Sequence, residues 1–188
     1  MSPSADHSRV RASRVTPGLL LLFLSLLALL SFGAPARAEE LPEYRLKAAF
    51  LYNFALFTEW PADVGGTLNL CVFGADPFGK EIDALQGKSV GARRILVQRK
   101  TAVDSLDDCQ ILFIAAPAMD KLGQLLDGLR GSPTLLVADS PGATRRGVAL
   151  NMSVALNKVT FEANLPAARN AGLNLSSQLL RLATQVIQ

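Results

Sequence analysis

The stretch ILFIAAPAMDKLGQLLDGLRGSPTLLVA, residues 111–138, decides the fold class of this 188-residue chain. It opens with an unbroken apolar run at 111–116, continues with leucines at helical spacing over 119–129, and closes with a second apolar run at 134–138. Continuous apolar strands are typical of parallel sheets that are covered on both faces. The stretch therefore predicts a strand–helix–strand unit of an α/β protein.

The segments on either side of this unit continue the alternation of strands and helices. We expect a three-layer α/β sandwich with a mostly parallel, flavodoxin- or Rossmann-like sheet, formed by a single domain over residues 39–188. Apolar runs and alternation predict further strands at 68–73, 90–98, 148–152 and 158–163. Spacings of three and four predict further helices at 44–58, 80–85, 165–170 and 178–186.

The first 38 residues are typical of a secretory signal. Three arginines precede an apolar run at 19–30, and Ala36 and Ala38 occupy the −3 and −1 positions of a cleavage site before Glu39. We predict a cleavable signal at 1–38, cut near Ala38 and Glu39, with an uncleaved membrane anchor as the alternative. No later run reaches 18 apolar residues, so the mature chain is predicted to have no transmembrane segment.

The charges of the mature chain balance. Four of the 19 basic residues and one of the 16 acidic residues lie in 1–38, which leaves 15 of each sign after cleavage. This balance argues against a nucleic-acid partner. Two arginine pairs, at 93–94 and 145–146, are candidates for binding an anion, although a solvated surface is the simpler interpretation.

The distribution of histidine excludes many catalytic sites. The single histidine, His7, lies in the predicted signal, so the mature chain has no imidazole for a nucleophile–histidine arrangement or for a metal. The segment GADPFGK at 74–80 has the spacing of a phosphate-binding loop, but Glu81 replaces the magnesium-binding hydroxyl and Asp76 would repel phosphate. We therefore predict a protein that is not an enzyme and has no metal or cofactor.

The two cysteines, Cys71 and Cys109, both follow the predicted signal. An even number of cysteines in an exported protein favours a disulfide, and two buried thiols are the alternative. Cys71 lies inside one predicted strand and Cys109 just before another. In a flavodoxin-like strand order those two strands are neighbours, which is consistent with a bridge.

Aromatic residues concentrate near the start of the mature chain. Six of the ten aromatic residues after residue 38 lie between 44 and 60. Core packing is the simpler interpretation, and a protein–protein surface is the other. The candidate partner or dimer surface comprises Phe50, Asn53, Phe54, Phe57 and Trp60. Weaker ligand candidates, for which helix capping or a buried hydrogen bond is the simpler interpretation, are Asn164, Ser176 and Ser177.

Several segments together resemble the YfiR family. The resemblance extends from residue 44 to 183, nearly the whole mature chain, and Gln110 stands where that family usually has histidine. The segments that carry it are KAAFLYNF at 47–54, LCVFG at 70–74, CQILFI at 109–114, FEANL at 161–165 and SSQLLRLA at 176–183.

The resemblance implies a periplasmic α/β protein, often a homodimer, that represses an inner-membrane diguanylate cyclase. Binding to the cyclase's periplasmic portion would lower cyclic di-GMP and biofilm signalling. It also implies that Cys71 and Cys109 match a cysteine pair of the family; the second pair that some members carry is missing here. The alternative is a periplasmic small-molecule-binding accessory protein, for example one that serves an outer-membrane receptor.

Overall fold

Helices and strands alternate along residues 40–155 and 158–188, which a computed structural model describes; the predicted signal at 1–38 lies outside these residues. The helices are α1 (Glu40–Leu56), α2 (Lys80–Asp83), α3 (Leu122–Gly128), α4 (Leu165–Asn170) and α5 (Ser177–Leu180). The strands are β1 (Thr58–Glu59), β2 (Thr67–Phe73), β3 (Ser89–Val90), β4 (Arg93–Lys100), β5 (Ile111–Ile114), β6 (Leu135–Ala138), β7 (Leu150–Ala155), β8 (Lys158–Asn164), β9 (Asn174–Leu175) and β10 (Gln185–Ile187). Short 3₁₀ segments lie at Val103–Ser105, Ala116–Lys121 and Thr144–Arg146.

Eight strands form one sheet in the order β10-β8-β7-β6-β5-β2-β4-β3. Only β3–β4 and β7–β8 pair antiparallel; the other strand pairs of this sheet are parallel. The strands β4-β2-β5-β6-β7 have the sequence order 2-1-3-4-5 of flavodoxin-like sheets. The predicted mostly parallel α/β fold is therefore confirmed. β1 and β9 form a separate two-stranded ladder.

Side chains that alternate along the strands build one apolar layer on each face of the sheet. In β2, Leu70 and Val72 pack with α1, α2, α4 and α5, whereas Cys71 and Phe73 pack with α3 on the other face. The same alternation holds in β5 and β6. Because both faces are covered, these central strands are apolar throughout, as the sequence predicts.

One predicted element is wrong in its second half, and another is divided near its start. The predicted helix at 178–186 ends at Leu180, and the chain then forms β10, which pairs in parallel with β8. Sheet pairing supplies backbone hydrogen bonds that outweigh the helical spacing of the leucines. The predicted strand at 90–98 is divided by Gly91, whose φ of 58° turns the chain between β3 and β4.

The end of β2 is closely packed at the place where this fold usually binds its ligands. In a 2-1-3-4-5 sheet the crevice lies at the carboxyl ends of the first and third strands, here β2 and β5. Gly74, directly after β2, has a φ of 95°, and a Cβ there would lie 2.8 Å from the Cβ of Ala118. The 3₁₀ segment Ala116–Lys121 therefore packs against the end of β2 at this point.

Among residues 40–155 and 158–188, no helix has both the length and the apolar composition needed to cross a lipid bilayer.

Candidate functional site

The inner face of α1 attaches this helix to the sheet. Ala48, Leu51, Phe54 and Ala55 are buried. Phe54 meets Phe161 of β8 edge to face, with ring centroids 5.1 Å apart, and Phe50 completes the aromatic cluster at 6.0 Å from Phe54. Such aromatic pairs add about 0.5–1.5 kcal/mol beyond the burial of their area. The helix therefore has a fixed position on the sheet.

A buried charged cluster anchors the first half of α1. The Lys47 side chain is 5% exposed; its ammonium donates to Asp139 Oδ2 at 2.6 Å and pairs with Glu43 one turn earlier. Tyr44 donates to the same Asp139 oxygen at 3.3 Å, and the Lys47 ammonium lies 4.6 Å from the centre of its ring. Asp139 directly follows β6. The cluster therefore connects α1 to the carboxyl edge of the sheet.

The cluster raises two pKa values. Burial alone would lower the pKa of Lys47, but the hydrogen bonds to Asp139 and Glu43 outweigh it and raise that pKa above its usual value. The pKa of Tyr44 is also raised, first by burial and then by the negative charge of Asp139. Both groups therefore keep their protons to higher pH in the folded chain than in the unfolded chain.

The outer face of α1 is apolar and exposed. Leu46, Ala49, Asn53 and Leu56, which we call the outer stripe, follow one another at intervals of three, four and three residues and all point to solvent. Leu46 is 46% exposed and Leu56 is 42% exposed. This spacing gives a stripe that is apolar at three of its four positions and is interrupted by Asn53. A mainly apolar stripe of this kind is the pattern with which a helix packs against another helix or lies in a groove.

The sequence-predicted surface residues divide between the core and the surface. Phe54 is fully buried and Trp60 is 9% exposed, so both belong to the core rather than to an exposed surface. Phe50 and Phe57 are half-buried and pack against the core, and Asn53 is exposed. The division follows from the rotation of α1 about its axis. This rotation places Phe50 and Phe54 against Phe161 of β8 and leaves Leu46 and Leu56 on the solvent side.

Sequence reasoning missed Leu46, Ala49 and Leu56 because α1 is apolar on every side. The signal that identifies the outer face is polar: Arg45 and Asn53 are both exposed. A long polar side chain is most easily accommodated on the solvent side of a helix. Lys47 obscures this pattern, since its buried ammonium is balanced by Asp139, which lies 92 residues away in the sequence.

Two of the three predicted ligand residues cap helices. Asn164 accepts a hydrogen bond from the Ala167 amide at the start of α4 and donates to the Thr144 carbonyl at 2.7 Å. Ser176 accepts from the Leu179 amide at the start of α5. Ser177 is exposed. The cap interpretation of Asn164 and Ser176 accounts for their polar groups without a ligand.

The structure joins Cys71 and Cys109 in a disulfide, with Cα atoms 5.9 Å apart. The bridge is buried in the layer beside α3. The pairing of β2 with β5 brings the two cysteines together. Asp108 lies beside the bridge, but the two sulfur atoms are bonded to each other and so supply no thiolate for a metal.

The two arginine pairs have mostly structural roles. Arg93, Arg94 and Arg146 donate to backbone carbonyls of neighbouring loops. Arg93 alone contacts the carbonyls of residues 61, 64 and 65, and thereby fixes the loop after Trp60. Arg145 is exposed and has no ion pair with any of the residues that the structure describes.

Two surface cavities of several hundred Å³ lie among the residues that the structure describes. The larger, about 530 Å³, lies at the carboxyl edge of β6, and we call it the edge cavity. The smaller, about 350 Å³, lies between α3 and α4, with Leu126, Leu136 and Pro166 among its lining residues. Asn164 lines the smaller cavity, so of the predicted ligand residues only this one faces either cavity.

Comparison with known proteins gives one family match. Residues 44–184 match the model of a family described as YfiR/HmsC-like. That range contains α1 from Tyr44 onward, all of the central strands and the disulfide.

Two solved structures are similar to the chain, each at 8% sequence identity. An ABC domain in complex with L-Trp from Streptococcus pneumonia aligns with a TM-score of 0.49, over 64% of this chain and 55% of that one. A conserved domain protein from Vibrio cholerae O1 biovar eltor aligns with a TM-score of 0.47, over 76% of this chain and 60% of that one. The chain thus spans between half and two thirds of the length of each.

Proposed function

Because the chain belongs to the YfiR/HmsC-like family, we propose that it is a periplasmic regulator that binds and represses an inner-membrane diguanylate cyclase. Repression lowers cyclic di-GMP and biofilm signalling, and the chain acts by binding rather than by catalysis. Residues 1–38 are the cleaved export signal and residues 39–188 the regulatory domain. This position in the periplasm gives the domain access to the external portion of the cyclase.

The observation that carries the docking part of this proposal is the outer stripe of α1. Leu46 and Leu56 are among the few large apolar side chains that are exposed in the described residues. Because these leucines are 46% and 42% exposed, burying the rest of each in an interface contributes about half of the roughly 1.5–3 kcal/mol that full burial of a leucine gives. Because the inner face of α1 is fixed by the aromatic and charged clusters, the stripe can bind a partner without rearrangement of the helix.

A second copy of the chain is the other occupant that the outer stripe fits. The three-four-three spacing suits a pair of α1 helices related by twofold symmetry as well as a helix of the cyclase. We propose that repression and dimerisation share this surface. Sedimentation velocity of the purified protein, with Leu56→Asp as the comparison, measures whether a dimer forms through it.

The regulatory role is tested by the level of cyclic di-GMP in the source strain. The gene is kept intact, deleted, or restored on a plasmid, and export of the restored protein is checked by fractionation. We expect deletion to raise cyclic di-GMP and restoration to return it to the original level. An unchanged level after deletion would contradict repression and favour the small-molecule-binding alternative.

A further inference from the structure

We propose that the free edge of β7, beside the edge cavity, binds an extended segment of another protein by strand addition, and that this segment carries a basic side chain. The edge comprises residues 152–155, which we call the open edge. The proposal goes beyond docking through the outer stripe, because no residue of that stripe lines the edge cavity.

The open edge exists because β7 continues beyond the end of its neighbour β6. β7 pairs with β8 along its whole length, from Leu150 to Ala155, whereas its pairing with β6 stops at Asn151. β6 itself ends at Ala138. Among the described strands, none pairs with residues 152–155 on the β6 side, so four residues of β7 are available to an additional strand there.

The backbone of the open edge directs hydrogen-bonding groups toward the edge cavity. The Asn164 amide donates to the Ala149 carbonyl at 2.8 Å, and the alternation of an antiparallel ladder then directs the odd-numbered residues of β7 toward β8. Val154 therefore directs its N–H and C=O groups to the other side, and it lines the edge cavity. Unpaired groups of this kind bind an extended peptide in strand addition.

The two ends of the large sheet, by contrast, are protected against such pairing. At one end, β10 has only three residues, and very short edge strands discourage pairing. At the other end, β3 covers the start of β4, and the Gln86 side chain accepts a hydrogen bond from the Val97 amide farther along. Residues 152–155 contain no proline and no charged side chain, so the open edge lacks both of these protections.

The charges around the edge cavity favour a basic side chain in the added segment. Lys47 is paired with both Glu43 and Asp139, so these two carboxylates keep one uncompensated negative charge. The Glu43 side chain is 32% exposed and is therefore accessible to a basic group. The ionisable lining residues are three acids and two bases, which give a net charge of minus one: Glu43, Asp139, Glu162, Lys47 and Arg145.

The face of β7 that carries Val154 also offers an apolar contact. Leu150 and Met152 lie on the same face and pack in the layer beside α1. Because side chains alternate between the faces of a sheet, residues of an added strand that are two positions apart lie on this face together. One of them can contact Val154, which is 44% exposed, and the other can reach Glu43 of α1. We therefore expect an apolar residue two positions from a basic one.

Charge also argues against a second copy of the chain as the occupant of the open edge. A twofold contact through this edge would bring together two copies of the same net negative cavity. Like charges across an interface oppose association, whereas a basic segment is attracted by the same field. The occupant is therefore a different protein.

The proposal is tested by NMR titration of the purified, isotope-labelled protein with a synthetic peptide. The probe is the capped heptapeptide Thr-Lys-Thr-Val-Thr-Lys-Thr, in which the lysines and the valine share one face of a strand. The control peptide has glutamate in place of both lysines. We expect saturable shifts of the amide signals of residues 152–155 and an affinity about tenfold or more above that of the glutamate peptide.

Two proline variants of one cross-strand pair identify the edge that binds. Val154 and Val159 lie opposite each other; the Val154 amide faces the edge cavity, and the Val159 amide faces the far side of β8, where β10 pairs only from Glu162 onward. Proline is tolerated where an edge N–H is not bonded within the sheet, so both variants should fold, which circular dichroism checks. Val154→Pro should abolish binding of the lysine peptide, and Val159→Pro should leave its affinity within about twofold.

Arg145→Gln tests the charge in the opposite direction. Arg145 is exposed and lines the edge cavity, and its positive charge opposes a basic segment. Its removal should tighten binding of the lysine peptide severalfold, whereas Arg181→Gln, at an exposed position outside the cavity, should not change it. Absence of saturable binding, equal affinity of the glutamate peptide, or binding that survives Val154→Pro would each overturn the proposal.

Discussion

At the scale of single residues, close packing and unusual backbone angles decide what can be replaced. Gly74 is the clearest case, because its left-handed φ and its contact with Ala118 leave no space for a side chain. The same close packing lies at the carboxyl edge where flavodoxin-like sheets usually bind their ligands.

We expect Gly74→Ala to lower the free energy of unfolding by about 2–4 kcal/mol, from the left-handed backbone and the overpacking together. The matched control is Gly87→Ala, where φ is 74° but no atom lies within 4 Å of the added Cβ. That change should cost only about 1–2 kcal/mol. Urea denaturation measures both, and equal costs would contradict the contact with Ala118.

Ser176 and Ser177 are neighbours with different roles. Ser176→Ala removes the hydrogen bond to the Leu179 amide and should lower stability by about 1 kcal/mol. Ser177→Ala, at an exposed position, should change stability by less than about 0.5 kcal/mol. Thermal unfolding of the two variants is the measurement; a larger loss for Ser177→Ala would show that the cap is misassigned.

At the scale of elements, α1 has three roles. It packs on the sheet through its aromatic face, it is anchored by the buried charged cluster, and it presents the outer stripe to solvent. Apolar spacing predicts the helix correctly, but it does not predict which side faces the sheet, since leucine, alanine and phenylalanine occur all round. The rotation is set by contacts distant in sequence, between Phe54 and Phe161 and between Lys47 and Asp139. Likewise, the segment after Leu180 becomes a strand only because β8 is present to pair with it.

The charged cluster at α1 predicts a loss of stability at alkaline pH. Lys47 and Tyr44 both have a raised pKa in the folded chain, so their contribution is complete below the unfolded values of about 10. This contribution to stability is lost as the pH rises from about 10 through the pKa values of the folded chain. Urea unfolding at pH 8, 9, 10 and 11 should show constant stability up to about pH 9.5 and a decline above it.

Tyr44→Phe provides the comparison for this pH dependence. It removes one of the two titrating groups but keeps the ion pair between Lys47 and Asp139, so the alkaline decline should become smaller. A wild-type free energy of unfolding that stays level between pH 9 and pH 11 would contradict the assignment.

At the scale of the whole molecule, the parallel arrangement of the central strands could be predicted from the continuous apolar runs and from their alternation with helical segments. Residues 111–138 predict the parallel unit correctly, and the same strand order brings Cys71 beside Cys109. The outer stripe and the edge cavity could not be predicted in this way. The outer stripe has a regular spacing within α1, but the side of α1 that faces solvent is set by contacts with β8 and Asp139. The edge cavity is lined by side chains from separate elements, which have no fixed spacing in the sequence.

The disulfide should contribute strongly to the stability of the whole domain. It joins residues 38 apart, and the loop-closure model gives such a bridge about 4 kcal/mol. We expect the double variant Cys71→Ala and Cys109→Ala to lose about 3–4 kcal/mol in urea denaturation at neutral pH. A loss below about 1 kcal/mol would mean that native strain offsets the constraint on the unfolded chain.

The most direct test of the central claim is cyclic di-GMP in a deletion strain that is restored with surface variants. Leu46→Asp with Leu56→Asp alters the outer stripe, and Leu182→Asp alters another exposed leucine, which is 68% exposed and follows α5. Comparable periplasmic amounts of each protein are confirmed by immunoblot. We predict that the Leu182 variant restores a low level and that the stripe variant does not. Full restoration by the stripe variant would contradict docking through α1.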